Sequence, residues 1–333
     1  MPDHHIDSGL MPWADIGGSD WSSLLLGNGF SMNIWRRFEY ASLYEAATDT
    51  AISPSLNAKC ISLFKSLETL NFEDVLRVLY HARLVDELLS STQIHEIDSL
   101  YSTTKNALAA AVNHFHVPYG FSGLSSINAS LQSFRDIFTT NYDLIPYWAI
   151  MHNSSKFKDL FWGSDNVFDS RDSQVSSGSC TIHYLHGAIH LVELPDGRTK
   201  KLRANGDSSL SQLFDLSHPN YFPLFIAEGA SRNKLSRIMR NEYLRFCYDK
   251  LRSIEGNLVA IGHSFCTNYD QHIVDALRDG RLNAIAIGVW PHQDPSQICL
   301  FKSRLQAAIA AKAIYFFDST THPLGDKGLR QEQ

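Results

Sequence analysis

The stretch that decides the fold is "LLLGNGFS", Leu24 to Ser31. Three leucines stop at Gly-Asn-Gly, and a small hydroxyl residue follows two positions later. A continuous apolar run is typical of a strand buried on both faces, as in a parallel sheet covered by helices. Two glycines one residue apart let the backbone approach a neighbour that a Cβ atom would block. Either the chain only turns here, or a ligand such as a pyrophosphate comes close to it.

Length and composition limit the class of protein. The chain has 333 residues and 44% hydrophobic content, enough for one large domain or two modest ones. Its formal net charge of -6 argues against direct binding of nucleic acid. No run approaches the roughly 18 apolar residues of a membrane span, so we expect no membrane association. Five isolated cysteines argue against a disulfide framework, and we expect a reduced, cytoplasmic protein.

Six apolar runs predict buried strands, and a seventh run is a weaker candidate. The six are residues 23–27, 135–141, 180–187, 257–263, 282–290 and 313–318, and the seventh is 221–227. Longer helical stretches separate most of them. This order predicts an α/β protein with a Rossmann-like, doubly wound and mainly parallel sheet of about six strands.

The chain between the first two strands is predicted to be helical. Apolar residues recur at helical spacing from Phe72 to Leu88, and "TTKNALAAAVNHF" (103–115) has a helix-favouring composition. This block is far longer than an ordinary crossover helix. We therefore interpret residues 55–125, approximately, as a large helical insertion after the first strand.

The remaining organisation is simple. Residues 1–20 lack a basic region followed by an apolar stretch, so we interpret them as a polar N-terminal arm rather than a signal peptide. Residues 21–333 are interpreted as one domain. Within it, residues 231–253 are predicted to form one amphipathic helix that leads into the strand at 257–263.

Four predicted strands end in small or polar residues, at the edge of a parallel sheet where ligands collect. After the first strand, Gly27, Asn28 and Gly29 would admit a phosphate group at the start of a helix, and Ser31 could add a hydroxyl. The alternative is an ordinary β–α turn, because the complete G-x-G-x-x-G pattern is missing.

The second stretch is "TTNYD", residues 139–143. Thr140, Asn141 and Asp143 directly follow an apolar run. Their side chains can hydrogen-bond a ribose or hold a water molecule. The alternative is a helix N-cap, a position that Thr, Asn and Asp all favour.

The third stretch is "YLHG", in which His186 lies at the end of a strand. A histidine there can act as a general base near neutral pH. The alternative is a histidine satisfied by a backbone carbonyl. His183 and His190 suggest a metal site, but residues 183 and 186 of one strand would face opposite sides, so we expect no metal.

The fourth stretch is "LVAIGHSFCTNYDQHI", residues 258–273. Gly262 and Ser264 follow a buried strand, and Asp270 opens the next helix. Ser264 and Asp270 could contact ribose or phosphate oxygens. The alternative is one more turn with a helix cap.

The order of these four motifs resembles the NAD-binding core of the sirtuins. Sirtuins show a Gly-Ala-Gly-x-Ser turn, a Thr-Gln-Asn-Ile-Asp loop, a Leu-His-Gly strand end and a Gly-Thr-Ser turn. The matching residues here are 27–31, 139–143, 185–187 and 262–264. The sequences "TTNYD" and "YLHG" look more like those of bacterial sirtuin-like proteins of antiphage defence than like those of the protein deacetylases.

The resemblance implies an NAD+ hydrolase that releases nicotinamide and ADP-ribose and acts in antiphage defence by depleting NAD+. It implies Asn141, His186 and Asp143 as the catalytic residues. The residues implied to bind NAD+ are Gly27, Asn28, Gly29, Ser31, Thr140, Gly262, Ser264 and Asp270. The cysteine pairs of the deacetylase zinc module are missing, so we expect no zinc, and water rather than an acyl-lysine as the acceptor.

Some assignments stay open. Arg36 and Arg37 follow the first motif without matching the arginine motif of the deacetylases. Asp318 could contact the adenosine side of NAD+ or cap the terminal segment. Because NAD+ depletion is lethal, the resemblance implies control by homo-oligomerisation, or by a separately encoded partner such as an ATPase or another sensor protein.

Other functions fit the same motifs. One is a non-catalytic sensor that binds NAD or ADP-ribose. Another is an NAD-dependent deacylase or ADP-ribosyltransferase, which would need an added substrate. A Rossmann dehydrogenase fits less well, because the position of its acidic ribose ligand falls in a helical region.

Overall fold

The computed structural model describes residues 8–16, 20–89, 93–114, 117, 120–174, 180–194, 196–203, 222–226, 230–310 and 312–331. The strands are β1 Ser23–Leu26, β2 Asp136–Thr139, β3 Phe157–Lys158, β4 Cys180–Tyr184, β5 Gly187–Glu193, β6 Thr199–Lys201, β7 Phe222–Phe225, β8 Glu255–Ile261, β9 Arg281–Val289 and β10 Ala313–Asp318. The helices are α1 Trp13–Ile16, α2 Asn28–Ile34, α3 Tyr40–Thr48, α4 Ala58–Ser66, α5 Phe72–Leu89, α6 Ile94–His114, α7 Gly123–Leu131, α8 Ile145–His152, α9 Ser231–Arg240, α10 Glu242–Ser253, α11 Thr267–Asp279 and α12 Pro295–Ala308.

A seven-stranded parallel sheet forms the centre of the molecule, in the order β10-β9-β8-β1-β2-β4-β3. Strand β1 lies in the middle, with Ser23 level with Asp136 on one side and Leu258 on the other. All residues of β1 are buried, as the apolar run requires. The predicted α/β class and the Rossmann-like parallel sheet are confirmed.

The chain leaves β1 and β8 in opposite directions. From β1 the chain passes through the helices α2 to α7 to β2, its neighbour on one side. From β8 it passes through α11 to β9, which lies in the opposite half of the strand order. The boundary between β1 and β8 is therefore a topological switch point. Ligands of doubly wound folds bind in the crevice that such a point opens at the carboxyl ends of the strands.

A smaller antiparallel sheet has the order β6-β5-β7. The weaker strand candidate 221–227 is part of it as β7, outside the central sheet. The predicted strand 180–187 ends earlier, at Tyr184. Gly187 has a φ of 76° and turns the chain from the parallel sheet into β5. Glycine adopts this conformation easily because it has no Cβ atom. Gly187 therefore allows the chain to pass from one sheet to the other.

The prediction of one helix over 231–253 is wrong. The chain forms α9 and α10, and Asn241 between them has an extended backbone. Its side chain accepts a hydrogen bond from the backbone N–H of Leu244 at 3.1 Å. Asparagine competes for backbone hydrogen bonds in this way, which ends one amphipathic helix and caps the next.

The region between β1 and β2 contains α2 to α7, as the helical prediction requires. The packing of α5 stops before its apolar periodicity does. Phe72 and Leu79 are buried, whereas Leu84 is 46% exposed and Leu88 is 84% exposed. Helical spacing therefore identified the helix but not the length of its buried face.

The described part of the N-terminal arm is docked rather than detached. Met11 forms a parallel bridge to Phe317 in β10, and the Trp13 ring lies 5.0 Å from the Phe317 ring. This contact covers the edge of the central sheet. Among the described residues, no helix is long and apolar enough to cross a membrane.

Candidate functional site

A cleft of about 890 Å³ opens at the carboxyl edge of the central sheet. The turns that follow β1, β2, β4, β8, β9 and β10 all contribute to its wall. Its volume lies within the roughly 300–1,000 Å³ of pockets that hold cofactor-sized ligands. The cleft includes the switch point between β1 and β8, so topology and shape indicate the same site.

The structure brings the predicted site residues together, and all but one of them line the cleft. Those that line the cleft are Gly27, Asn28, Gly29, Thr140, Asn141, Asp143, His186, Gly262, Ser264 and Asp270. Ser31 is fully buried beside the cleft instead of lining it. Four segments far apart in sequence therefore meet, because parallel strands end at the same edge.

Protein packing accounts for the glycines of the first motif. A Cβ atom on Gly27 would lie 2.6 Å from the carbonyl oxygen of Gly262. The N–H of Gly29 donates to that same carbonyl at 2.9 Å. Gly262 has a φ of 68°, and a Cβ atom there would lie 2.1 Å from the backbone nitrogen of Phe30. The turns after β1 and β8 thus touch backbone to backbone, while contact with a pyrophosphate stays a prediction.

Asn141 is oriented by a directed chain of hydrogen bonds. Its Nδ2 group donates to the carbonyl of Gly27 at 3.0 Å and to the hydroxyl of Ser31 at 2.8 Å. The Ser31 hydroxyl donates in turn to Asp143 Oδ2 at 2.6 Å. Both N–H protons of the amide are donated, so the only side-chain polar atom still able to bind a partner is the oxygen Oδ1. Among the described residues this buried oxygen has no partner, and Asn141 lines the cleft.

Asp143 accepts the last hydrogen bond of this chain. Its Oδ1 accepts from the backbone N–H of Ile145 at 2.8 Å, at the start of α8. Burial raises the pKa of Asp143, and the hydrogen bonds from Ser31 and Ile145 oppose that rise. The carboxyl group has both oxygens engaged by protein donors. Its visible role is therefore to position Ser31 and Asn141.

His186 is part of a second hydrogen-bonded chain. Its Nε2 atom lies 2.9 Å from Nε2 of His272, and Nδ1 of His272 lies 2.8 Å from the Ser231 hydroxyl. Burial lowers the pKa of His186 well below its ordinary value, and the nearby ammonium group of Lys234 lowers it further. Burial also lowers the pKa of His272, to about 3. Both imidazoles are therefore neutral at physiological pH.

A buried ion pair lies next to these histidines. Lys234 Nζ is 3.4 Å from Asp270 Oδ1, and both residues line the cleft. Burial opposes ionisation of Asp270, but surrounding positive charge, foremost that of Lys234, lowers its pKa to about 2. The cleft therefore contains a carboxylate that keeps its negative charge at neutral pH.

Three of these side chains could serve as metal ligands. The donor atoms of His186, Asp270 and His272 lie within 4.8 Å of one another. However, the two imidazoles are hydrogen-bonded directly, and Asp270 is paired with Lys234. A cation would have to break both interactions beside an ammonium group. The arrangement is therefore satisfied as a hydrogen-bonded cluster.

His183 and His186 have different partners, but the argument from strand alternation does not hold. His186 follows β4 in a turn and is not part of the strand, so strand alternation does not apply to it. His183 Nε2 lies 3.3 Å from Asp136 Oδ1, and its ring stacks on Phe138. His183 is thus explained by packing within the sheet.

Sequence reasoning missed Ser231, Lys234 and His272. Ser231 and His272 are 41 positions apart, on α9 and α11, and only their packing joins them. The nearest available signal was the pair Asp270 and His272, two positions apart after the fourth motif. Lys234 lies on a helix whose other basic residues are typical of a solvated face.

Arginines also line the cleft. Arg36 lines the cleft, whereas the guanidinium of Arg37 lies 5.6 Å from the Trp35 ring. Arg304 and Arg330 also line it, and among the described residues their buried Nε atoms have no hydrogen-bond partner. Both arginines therefore bring positive charge to the wall of the cleft.

Asp318 takes the capping role that was open to it. Its Oδ1 accepts hydrogen bonds from the backbone N–H of Thr320 at 2.8 Å and from the Thr320 hydroxyl at 2.7 Å. The next residue, Ser319, lines the cleft. The end of β10 therefore contributes to the wall through Ser319.

Comparison with known proteins identifies a family. A family model described as a domain of unknown function (DUF4917) matches residues 24–323, which is most of the chain. The matched segment begins in β1 and includes all four motifs of the cleft. No curated protein matches the chain.

Proposed function

The chain belongs to DUF4917, a family of domains of unknown function, and from its cleft we propose that it is an NAD+ hydrolase of the sirtuin-like kind. The reaction breaks the N-glycosidic bond between nicotinamide and ribose and gives nicotinamide and ADP-ribose. One observation carries the proposal. Asn141 lines a cleft at the switch point of the sheet, its amide group is held by Gly27 and Ser31, and its buried oxygen has no partner among the described residues.

The chemistry needs an acceptor of this kind. Glycosidic bonds break through an oxocarbenium-like state, in which positive charge develops on the ribose. An oriented amide oxygen can accept a hydrogen bond from the attacking water or from a ribose hydroxyl and place it beside the reacting carbon. Because its orientation is set in advance by Gly27 and Ser31, little reorganisation is needed during the reaction.

The charges of the cleft support the same reaction. Asp270 is ionised and pairs with Lys234, so this part of the wall is polar without carrying a large net charge. Arg304 and Arg330 line the cleft, and their positive charges suit the pyrophosphate. His186 is neutral and lines the cleft, where it would contact a ribose hydroxyl.

The atoms of the reaction balance without a further reagent. Nicotinamide leaves with the electron pair of the N-glycosidic bond and becomes neutral. The oxygen of water forms a bond to the ribose carbon, and one water proton is released to solvent. No acyl-lysine takes part, in keeping with the missing cysteine pairs of the deacetylase zinc module.

The wider role follows from the resemblance to sirtuin-like defence proteins. We propose that NAD+ depletion in the cytoplasm is the effect of the enzyme. Control by homo-oligomerisation, or by a separately encoded ATPase or another sensor protein, stays a prediction.

The test is to incubate the purified full chain with NAD+ and measure nicotinamide and ADP-ribose. Asn141→Ala removes the acceptor and should lower kcat by about 100-fold or more. Asn141→Asp keeps an oxygen but cannot donate to both Gly27 and Ser31, so it should be similarly impaired. Asn283→Ala, at an exposed position in β9, is the matched control and should retain full activity.

The other outcomes separate the alternatives. Saturable binding of intact NAD+ would favour a non-catalytic sensor. Turnover that appears only with an added protein substrate would favour a deacylase or ADP-ribosyltransferase. If NAD+ is neither bound nor cleaved, the proposal is wrong.

A further inference from the structure

The chain of hydrogen bonds behind His186 has a direction that can be worked out. Ser231, His272 and His186 are all buried. The backbone N–H of His272 donates to the Ser231 hydroxyl oxygen at 2.7 Å. The same oxygen lies 2.8 Å from Nδ1 of His272, whose Nε2 lies 2.9 Å from Nε2 of His186. These contacts join α9, α11 and the turn after β4.

The hydroxyl proton of Ser231 decides the direction. The oxygen already accepts from the His272 N–H, and the hydroxyl still needs an acceptor because it is buried. Within the described chain, His272 Nδ1 is the acceptor within reach. Ser231 therefore donates to Nδ1, and a neutral His272 must carry its own proton on Nε2.

The same reasoning continues to His186. Because the Nε2–H of His272 points at His186 Nε2, that atom must be the unprotonated acceptor. A neutral His186 then carries its proton on Nδ1. The opposite direction would leave the Ser231 proton buried without an acceptor in the described part of the molecule, at a cost of about 1–3 kcal/mol.

We infer that Ser231 and His272 are positioning residues that hold His186 in the Nδ1–H tautomer, so that His186 acts on its ligand as a hydrogen-bond donor. The ligand group at this point must then be an acceptor. In NAD+, a ribose hydroxyl oxygen or the carboxamide oxygen has this chemistry; this part rests on the proposed function. The donor role replaces the general-base role that the sequence suggested for His186.

The electrostatic surroundings favour a neutral pair. The charged groups that face the two rings are Lys234 and Asp270, which form an ion pair, and His263 also lies close enough to interact. Because these two charges are opposite, together they do little to stabilise the protonated form of either ring. With both rings neutral, each has one donor and one acceptor nitrogen, as the directed chain requires.

The first measurement is the tautomer itself. The full chain, containing ¹⁵N-labelled histidine and no ligand, is studied by NMR at neutral pH, and His186→Asn identifies the signals of His186. The expected result is a proton on Nδ1 of His186 and on Nε2 of His272. A proton on Nε2 of His186 would overturn the inference. The result does not depend on NAD+, so a failure of the proposed function is seen separately.

A chelator addresses the alternative that a metal joins the two rings. The spectrum of the wild-type protein should be the same before and after treatment with EDTA. A change of the His186 and His272 signals on removal of a metal would show that coordination, not the directed hydrogen bonds, sets their state. That outcome would also overturn the inference.

The second measurement separates positioning from folding. Ser231→Ala removes the donor and should reduce the Nδ1–H fraction of His186 and lower kcat for NAD+ hydrolysis about 10-fold. Ser231→Thr keeps the hydroxyl and should restore both. If the alanine variant is folded and keeps the wild-type tautomer, Ser231 does not set it and the inference is wrong. Ser62→Ala, a hydroxyl bonded within α4, is the matched control.

Discussion

At the scale of single residues, Ser31 links the two side chains on which the site depends. Its hydroxyl accepts from Asn141 and donates to Asp143, and it is fully buried. The sequence predicted that this hydroxyl helps to bind the phosphates of NAD+. Its partner Asp143 is 112 residues away, so the sequence could not show that the hydroxyl faces protein.

Ser31→Ala tests this link. The change leaves the buried carboxyl of Asp143 without one donor and releases the amide of Asn141, so we expect a loss of about 1–3 kcal/mol of unfolding free energy. We also expect weaker NAD+ hydrolysis. Denaturant unfolding measures the first effect. Ser130→Ala, which removes a hydroxyl that is bonded within α7 at a partly exposed position, should change neither property. Equal behaviour of the two variants would contradict the role of Ser31.

At the scale of elements, the turn after β8 shows that a motif can identify the correct turn although the reason given for its glycines is incomplete. The sequence suggested that glycines make room for a ligand. The structure shows that Gly27, Gly29 and Gly262 make room for each other's backbone. The motif identified the right turns, because the contact that needs glycine also shapes the crevice between β1 and β8.

Gly262→Ala should be strongly destabilising. A Cβ atom would meet the backbone nitrogen of Phe30 at 2.1 Å, and the φ of 68° is itself unfavourable for alanine. Gly197→Ala is the matched control, since Gly197 has a φ of 83° with nothing within 4 Å of the added atom. We expect about 1 kcal/mol for Gly197→Ala and at least 2 kcal/mol more for Gly262→Ala. Thermal or denaturant unfolding measures both. Similar losses would show that the close contact is not maintained.

The break between α9 and α10 makes a second prediction at this scale. Asn241 caps α10 and also donates to the buried hydroxyl of Thr199 at 3.1 Å. Asn57 caps α4 with a bond from Cys60 N–H at 2.9 Å, but its side chain is exposed. We expect Asn57→Ala to cost about 1 kcal/mol and Asn241→Ala roughly twice as much, by denaturant unfolding. A smaller loss for Asn241→Ala would mean that Thr199 finds another partner.

At the scale of the whole molecule, buried histidines predict sensitivity to acid. Burial lowers the pKa of His190 to about 3 and that of His322 to about 4, from an ordinary value of 6.5. Between those values the unfolded chain binds more protons than the folded protein. The unfolding free energy therefore rises with pH in this window and falls as the pH drops from about 6.5 toward 4. Thermal midpoints measured from pH 8 to 4.5 should decrease on the acid side.

His322→Asn should weaken this dependence. Nδ1 of His322 accepts from the backbone N–H of Leu324 at 3.1 Å, a bond that an asparagine oxygen can replace. The variant removes one group that protonates on unfolding, so its thermal midpoint should fall less between pH 6.5 and 4.5. His292→Gln, at an exposed position, should keep the wild-type slope. An unchanged slope for His322→Asn would place the acid sensitivity in the other histidines.

Much of the architecture was accessible from the sequence, because β1 and its neighbours are continuous apolar runs bounded by turn residues. β3 escaped prediction because it has only two residues. The single helix over 231–253 was wrong because periodicity does not register a cap at Asn241. Most of the predicted residues meet at the cleft, and the reason is topological. The carboxyl ends of parallel strands share one edge, so motifs at strand ends must converge there.

The sequence by itself determined the fold class, the four turns that line the cleft, and the residue types available there. Only the tertiary structure decided what each side chain does. It placed Ser31 behind Asn141, left the amide oxygen without a partner among the described residues, and set Ser231 and His272 behind His186. Local propensity and hydrophobic pattern act between near neighbours in the chain. Hydrogen-bond direction and burial depend on partners that only long-range packing brings together.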